Sequence, residues 1–351
     1  MDLVTHTTAP GLPTGAPPSH ATLRWVEACL GEGSEVRMVR PLAGGSAHSN
    51  HALLVESRSG SAHRLVLRRW TVRDTGPGPL SGPLSGLGPG SGPNSGSGLG
   101  AGLGTGSGLG AGAAARRSFV DGEFSPEREI AALALLAGCE IPTPSLVAAD
   151  PAGAYCDVPA LLITRLVGHP PRPAPDDLPE YLIQLAAALL SVHALNGAAT
   201  MPPYVPGNRL DLRLPPKHAL RPELWERAFE VAAGPPPAAP ARFIHRDYHP
   251  DNTLWSYGKL TGIVDWSDAS SGPVAIDIAS MRRGLAVRYG RSVADRFLAA
   301  FDQVSGGYPH DPYWDVRCLL DLLPEDDGRL LDEAEVPLLE DYLAALLAEI
   351  N

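Results

Sequence analysis

Short apolar or alternating segments in the first half of the chain have the pattern of β-strands. Later in the chain, apolar residues recur every three to four positions, which is typical of helices packed on a core. The predicted strands cover residues 35–41, 51–56, 63–70, 145–149 and 160–166. The predicted helices cover residues 21–30, 127–139, 178–195, 222–233, 274–289, 292–304, 312–323 and 331–350. Strands therefore concentrate in the first half of the chain and helices in the second.

Two segments lack the apolar residues that a packed core needs. Residues 1–20 are rich in Thr, Pro and Gly and are predicted to form a disordered tail. Residues 75–115 contain Gly, Ser, Pro, Leu and Ala with scarcely any charge, which predicts a flexible insert. The rest of the 351-residue chain is long enough for one large or two modest domains, and its hydrophobic fraction of 44% is ordinary for a globular protein.

The charge and the cysteines exclude several classes of protein. A formal net charge of -11 argues against sequence-independent binding of nucleic acid, which needs a basic surface. The sequence has no basic region followed by an apolar run, and no apolar stretch reaches about 18 residues, so we predict neither secretion nor membrane insertion. Four scattered cysteines indicate reduced, mostly buried thiols in a cytoplasmic protein. They are Cys29, Cys139, Cys156 and Cys318.

The candidate chemistry concentrates in residues 243–266. His245 begins the spacing H-R-D-x-x-x-x-N of a kinase catalytic loop. Phosphoryl transfer needs a carboxylate that orients the acceptor hydroxyl and can take its proton, and Asp247 suits this role. Mg²⁺ takes few protein ligands besides phosphate oxygens and water, so the amide of Asn252 and the carboxylate of Asp265 are sufficient. The stretch therefore predicts a phosphoryl-transfer site.

A tight turn is expected to bring these side chains together. Residues 257–259, Tyr-Gly-Lys, are a β-turn signal between the strands 253–256 and 260–264. This hairpin returns Asp265 to the loop that carries Asp247. The alternative is a hairpin with solvated Asp and Asn side chains in its turns, but the ordered combination of His, Asp, His, Asn and Asp argues against it.

In its full form the stretch reads H-x-D-x-H-P-x-N, followed by an Asp-Trp pair after an apolar strand. With His249, Pro250 and Trp266 in place, it resembles the aminoglycoside phosphotransferase family. That family more often has Gly at the position of Arg246, and this departure leaves the substrate class open. The resemblance implies an α+β, two-lobed, protein-kinase-like fold. A small antiparallel-sheet N-lobe would span residues 21–166, and a mostly helical C-lobe would span residues 167–351.

The resemblance also implies an activity, namely transfer of the γ-phosphoryl group of ATP or GTP, with Mg²⁺, to a hydroxyl of a small molecule. The acceptor would be an aminoglycoside-like antibiotic or a metabolic alcohol or amino alcohol. Asp247 would position and deprotonate this acceptor, and His245 would brace the loop. Asn252 and Asp265 would hold Mg²⁺. Asp277 would accept hydrogen bonds from the backbone of the catalytic loop.

The loop between the first two predicted strands, residues 42–50, resembles the family's G-G-x-x-N nucleotide loop. Small residues let backbone N–H groups approach phosphate oxygens. On its own, a glycine pair in a hairpin is more typical of an ordinary surface turn. The phosphate contacts that the resemblance implies are Gly44, Gly45, Ser46 and Asn50.

The third predicted strand carries the cation that the resemblance assigns to the nucleotide phosphates. Arg68 is the matching residue, and a guanidinium can bind phosphate bidentately. Arg69 is the rival, and both can also be simple edge-strand charges. Glu129 matches the helix Glu that pairs with this cation, although Glu127 is a second candidate and an exposed helix Glu is the alternative reading. The implied hinge that meets adenine is Thr164, Arg165 and Leu166.

Some acidic and histidine positions keep more than one interpretation. Asp268 either supports the metal site, faces the substrate or caps a short helix. His193 is interpreted as a packed structural residue. The acidic residues between 325 and 335 are either a solvated face or the surface that receives a cationic acceptor.

The sequence does not name the acceptor, because one fold serves many substrates. A second hypothesis is a nucleotide-binding regulator without turnover, which the unusual cation and glycine loop favour and the complete set of base and metal ligands opposes. A protein kinase is disfavoured because no A-P-E segment follows Asp265 and Asp277 comes only twelve residues later.

Overall fold

The computed structural model describes residues 17–42, 48–70, 126–323, 331 and 333–350. The predicted insert at 75–115 and most of the predicted tail lie outside these residues. The end of that tail belongs instead to the first helix, α1 (His20–Cys29). The hydroxyl of Ser19 accepts a hydrogen bond from the backbone N–H of Thr22 at 3.2 Å, and this N-cap defines where the helix begins.

An antiparallel sheet of five strands forms the first part of the fold, with the strand order β1-β2-β3-β5-β4. Helix α1 packs on one face, where Val26 joins a small core with Leu53 and Leu67. Helix α2 (Pro126–Leu136) packs on the other face, and its leucines join the larger core of the protein. The strands are β1 (Glu35–Leu42), β2 (Ser49–Glu56), β3 (Ala62–Arg69), β4 (Leu146–Asp150) and β5 (Ala160–Thr164).

Helices dominate the rest of the described chain. Leucines at helical spacing drive their packing, as in α3, where Leu182, Leu185 and Leu189 are fully buried on one face. The last predicted helix, 331–350, begins only at residue 336, because Pro337 in its first turn favours a helix start there. The helices are α3 (Leu178–His193), α4 (Pro222–Ala233), α5 (Ala275–Tyr289), α6 (Arg291–Ser305), α7 (Pro312–Leu320) and α8 (Val336–Glu349).

Two small strand pairs hold the predicted catalytic stretch. The predicted hairpin forms as β7 (Thr253–Ser256) and β8 (Lys259–Ile263). A second pair joins β6 (Ala241–Ile244) to β9 (Ser270–Pro273), so that one strand leads into the stretch and the other leads out of it. The sequence analysis did not predict this pair, because Ser270 to Pro273 reads Ser-Ser-Gly-Pro and has the composition of a turn.

The described helices and cysteines bear on two further expectations. Among the described residues, no helix has the length and apolar character needed to cross a lipid bilayer. All four cysteines are free thiols. Cys156 and Cys318 are buried, as expected, whereas Cys139 is half-buried and Cys29 is exposed.

The β6–β9 pair depends on a glycine, and this generates a prediction. A Cβ atom at Gly272 would collide with the Cβ of Tyr204 and come within 3.0 Å of Ile244 Cδ1. We expect Gly272→Ala to lower the free energy of unfolding by about 1–3 kcal/mol through overpacking. The control is Gly138→Ala, where a Cβ meets nothing within 4 Å. Chemical denaturation should place the control within about 0.5 kcal/mol of the unaltered protein, and equal stability of both variants would contradict the prediction.

Candidate active site

Asp277 is a fully buried carboxylate in the first turn of α5, and it holds the catalytic loop. Its two oxygens accept hydrogen bonds from the backbone N–H groups of His245 at 2.9 Å and Arg246 at 2.6 Å. Nε2 of His193, at the end of α3, donates a third hydrogen bond at 2.9 Å. A buried charge needs such partners because water cannot reach it. His193 was interpreted as a packed structural residue, and its bond to Asp277 was not predicted from the sequence.

His245 connects the predicted catalytic loop to the segment that carries Asp265. Its Nε2 donates a hydrogen bond to the carbonyl oxygen of Val264 at 2.9 Å. Its ring packs against Trp266, with ring centroids 4.4 Å apart. Val264 and Trp266 flank Asp265, so the fully buried imidazole fixes the loop and the segment of Asp265 relative to each other.

Asp247 presents a partly exposed carboxylate among hydrogen-bond donors and cations. The side-chain amide of Asn252 donates to its Oδ2 at 3.1 Å and to its backbone carbonyl at 2.9 Å. Nε2 of His249 lies 3.4 Å from Oδ2, and the guanidinium of Arg283 lies 3.7 Å from Oδ1. Burial alone would raise the pKa of Asp247, but His249 and Arg283 outweigh it and hold the pKa well below its usual range. The carboxylate is therefore ionised at neutral pH and can accept a hydrogen bond from a hydroxyl group.

Arg68 links the sheet, helix α2 and the carboxylate of Asp265. Its Nη1 donates to both oxygens of Glu129, at 2.9 and 3.0 Å, and to Oδ1 of Asp265 at 2.9 Å. Its Nε donates to Asn50 Oδ1 at 3.1 Å. Burial alone would lower the pKa of Arg68, but the charges of Glu129 and Asp265 raise it. Burial raises the pKa of Glu129 to about 7, against the opposing effect of the guanidinium.

The strand register separates Arg68 from its rival. Successive side chains of a strand point to opposite faces, so Arg68 and Arg69 lie on opposite sides of the sheet. Arg69 forms an ion pair with Asp157 at 2.9 Å, away from Glu129. On α2, Glu129 is 1% exposed whereas Glu127 is exposed to solvent. The geometry thus favours Arg68 and Glu129 as the pair that faces the cleft.

The donor atoms of Asp265 and Asn252 fit a hard cation such as Mg²⁺. Asp265 Oδ1 accepts hydrogen bonds from Arg68 and, at 2.9 Å, from the hydroxyl of Ser267, while Oδ2 accepts none from the described residues. The amide nitrogen of Asn252 faces Asp247, which leaves its amide oxygen without a donor in the described chain. No group of three or more His, Cys, Asp or Glu that could hold a metal occurs in the described ranges. Mg²⁺ typically binds through one or two protein oxygens plus phosphate and water.

The backbone conformation at Asp265 is unusual and serves the site. Its φ of 68° lies in the left-handed region, which non-glycine residues seldom adopt. This turn ends β8 and begins the short 3₁₀ helix Trp266–Asp268. Burial alone would raise the pKa of Asp265, but the charge of Arg68 outweighs it and lowers the pKa. The carboxylate is therefore held in its ionised form.

The predicted nucleotide contacts have different outcomes. Gly44, Gly45 and Ser46 lie outside the described residues. At the predicted hinge, the backbone N–H of Thr164 donates to the carbonyl oxygen of Ser145 at 2.9 Å. The backbone N–H of Arg165 donates to the carbonyl oxygen of Arg64 at 3.0 Å. The N–H of Leu166 has no such partner in the described chain. Of the three predicted hinge residues, only Leu166 therefore keeps a backbone donor for a ligand.

Arg246 and Asp268 form a charged group beside the catalytic loop that sequence reasoning did not resolve. Arg246 has a φ of 74°, and its Nη2 donates to the carbonyl of Val205 at 2.8 Å. Its Nη1 lies 3.7 Å from Asp268 Oδ1, and Nη1 of Arg128 lies 3.9 Å from the same oxygen. Burial raises the pKa of Asp268 to about 6, against the opposing charge of Arg246. Asp268 is the last residue of the short 3₁₀ helix, whose N-cap position is Asp265, so the capping interpretation has no support.

Two other features lie away from this site. A cavity of about 540 Å³ lies between residues 170–173 and the β7–β8 turn, and neither Asp247 nor Asp265 lines it. Of the acidic residues predicted near the C-terminus, those at 325–327 and 332 lie outside the described residues. Glu333 is well exposed, 3.9 Å from the imidazole of His218. The candidate site itself is the loop and hairpin around Asp247 and Asp265.

The buried contacts of Asp277 predict a stability effect. In Asp277→Asn, the amide can accept only one of the two backbone N–H groups and directs an N–H toward the other. We expect the free energy of unfolding to fall by about 2–3 kcal/mol. Asp251→Asn is the control, because Asp251 lies in the same loop with an exposed side chain paired to Arg288, and its loss should change stability by less than about 1 kcal/mol. Coincident denaturation curves for the two variants would refute the assignment.

Comparisons with known structures establish the fold. A thermostable mutant of aminoglycoside phosphotransferase APH(4)-Ia, solved as a ternary complex with AMP-PNP and hygromycin B, is 13% identical and has a TM-score of 0.57, over 93% of this chain and 98% of that chain. Macrolide 2'-phosphotransferase type I is 15% identical with a TM-score of 0.50, over 95% and 98% of the two chains. The predicted two-lobed, kinase-like α+β fold is confirmed.

Comparisons at the sequence level establish the family. Curated proteins give no significant match to the chain. The profile of the phosphotransferase enzyme family matches residues 39–320, which include most of the sheet, the loop that carries Asp247 and most of the helices. The predicted relationship to the aminoglycoside phosphotransferases is thereby confirmed. Because the match spans most of its length, this chain belongs to the phosphotransferase enzyme family.

Proposed function

We propose that the protein is a small-molecule kinase that transfers the γ-phosphoryl group of ATP or GTP to a hydroxyl group of its acceptor. The observation that carries the proposal is that Asp247, Asn252 and Asp265 lie close together, and that Asp265 is bonded to the Arg68–Glu129 pair. Residues 21–166 form the nucleotide-binding lobe in this proposal. Residues 167–351 form the lobe that catalyses transfer and binds the acceptor.

Asp247 is the residue that we assign to the acceptor. Its ionised, partly exposed carboxylate accepts a hydrogen bond from the attacking hydroxyl and orients it for in-line attack. It takes the hydroxyl proton as the new oxygen–phosphorus bond forms and the bond from the γ-phosphorus to the bridging oxygen breaks, which releases ADP or GDP. Its low pKa makes it a weak base, so orientation is the larger part of its contribution. His245 and Asp277 hold the loop, so that this carboxylate keeps its position.

The nucleotide phosphates are assigned to Arg68 and to a metal ion. Asn252 and Asp265 would hold Mg²⁺, which when bound neutralises the charge of the phosphates. Arg68, kept in place by Glu129, has a guanidinium that can bind phosphate oxygens. The glycine loop with Gly44, Gly45 and Ser46, and the free backbone N–H of Leu166, complete the proposed nucleotide contacts.

The structural relatives indicate the class of acceptor only broadly. The structural relatives are phosphotransferases for aminoglycosides and macrolides, and one of them was solved with hygromycin B. At identities of 13–15% they support a small hydroxyl-bearing molecule and do not distinguish an antibiotic from a metabolic alcohol. Arg246 and Asp268 lie next to Asp247 and are the residues in which acceptor specificity should be sought.

The first prediction from this proposal concerns turnover. With Mg²⁺, labelled ATP or GTP and a panel of aminoglycosides, macrolides and small metabolic alcohols, we expect at least one phosphorylated acceptor. Asp247→Asn should slow transfer by about 10²-fold or more, because the base and orienting group are lost. Asp265→Asn should weaken Mg²⁺-dependent nucleotide binding as well. Asp251→Asn, in the same loop, should keep its activity.

Two outcomes would contradict that prediction. Transfer that persists in Asp247→Asn would show that another residue orients the acceptor. Tight nucleotide binding without transfer to any acceptor, in the unaltered protein, would favour the regulator that lacks turnover.

The second prediction separates the two neighbouring arginines. Arg68→Met should weaken binding of the Mg²⁺-nucleotide complex by about 10-fold or more, the value of a lost charged hydrogen bond. Arg69→Met removes the ion pair with Asp157 on the other face of the sheet, so it should lower stability and leave nucleotide affinity within about twofold. Calorimetric titration of each folded variant provides the comparison. A larger loss of affinity in Arg69→Met would reverse the assignment.

A further inference from the structure

His48 lies on the cleft face of the sheet, directly after residues 43–47. Ser49 pairs with Arg69 across β2 and β3, and this register continues to bring His48 opposite Trp70. The two rings are in contact, with centroids 5.7 Å apart. Because strand side chains alternate between faces, His48 projects to the same side as Asn50 and Arg68. Its position therefore belongs to the proposed phosphate site.

The imidazole of His48 is buried without a hydrogen bond. Its side chain is 3% exposed, and neither Nδ1 nor Nε2 has a hydrogen-bond partner in the described chain. Nε2 lies 3.8 Å from Asp265 Oδ1, which is too far for a hydrogen bond. That oxygen already accepts from Arg68 and Ser267. Buried polar groups in native proteins nearly always have a partner, so an unpaired donor at a binding cleft points to a ligand atom.

The surroundings of His48 define the chemistry of that ligand atom. An imidazole has at least one N–H to donate whatever its protonation state, so the buried ring of His48 calls for an acceptor atom. The neighbouring cation, Arg68, favours a negatively charged acceptor at this place. A phosphate oxygen meets both requirements, because it accepts the N–H and is attracted by the guanidinium.

We propose that His48 donates a hydrogen bond to the terminal phosphates of the bound nucleoside triphosphate. This assignment rests on the proposed phosphotransferase function and adds a positioning residue to it. The ring packs against Trp70 and lies beside Asp265. A phosphate oxygen of the nucleotide would accept the N–H of this ring and be attracted by the guanidinium of Arg68.

A matched control is available on the same strand. His51 is also buried, at 2% exposed, and its Nδ1 also has no hydrogen-bond partner in the described part of the chain. It lies on the opposite face of the sheet from Asn50, next to Arg69. Loss of the His51 imidazole therefore reports the general effect of altering a buried histidine in this strand.

The experiment compares His48→Phe, His48→Gln and His51→Phe by calorimetric titration with AMP-PNP and GMP-PNP in the presence of Mg²⁺, and with AMP and GMP. Phe keeps the packing on Trp70 without a donor, whereas Gln keeps an N–H donor. We expect His48→Phe to weaken binding of the triphosphate analogue about tenfold, the value of one charge-assisted hydrogen bond. Monophosphate binding should stay within about twofold. His48→Gln should retain most of the affinity, and His51→Phe all of it.

Three results would overturn the assignment. Equal losses for triphosphate and monophosphate in His48→Phe would mean that the ring only supports the fold. Equal affinities of the Phe and Gln variants would mean that the donor is not used. If the unaltered protein binds no nucleotide, the phosphotransferase proposal itself fails, and this outcome is distinct from binding that His48→Phe leaves unchanged.

Discussion

A buried charge has to be matched by fixed partners, and in this protein that constraint determines the geometry of the catalytic loop. Asp277 has no contact with solvent, so its two oxygens depend on the backbone of His245 and Arg246 and on the imidazole of His193. These donors come from α3 and from the end of β6. Satisfying one carboxylate therefore fixes α3, α5 and the catalytic loop in a single arrangement.

The same principle operates across the cleft, where Arg68 is the shared partner. Its guanidinium donates hydrogen bonds to Glu129 on α2, Asn50 on β2 and Asp265 at the end of the β7–β8 hairpin. The sheet lobe and the helical lobe are thereby joined at the point where phosphate and metal are proposed to bind. The side chain that donates hydrogen bonds to two carboxylates is also the proposed phosphate contact, so a nucleotide would enter a site whose side chains are already positioned.

Local patterns were enough to predict the main elements and the central motif. Alternation and helical periodicity gave most strands and helices to within a few residues, and the spacing from His245 to Asp265 located the candidate site. The β6–β9 pair was missed because its stability comes from residues far apart in the chain and its second strand has the composition of a turn. The partners of His193, Arg246 and His48 were missed for a related reason, since they depend on which faces meet in three dimensions.

The β6–β9 pair affects how the site unfolds locally. Its ladder closes the chain on both sides of the catalytic segment, from Ile244 paired with Ser270 to Ala241 paired with Pro273. Asp247 and Asp265 thus lie within one closed loop, held at its base by a few backbone hydrogen bonds. Opening of this ladder would release both carboxylates in the same event, so they belong to one cooperative unit in local unfolding.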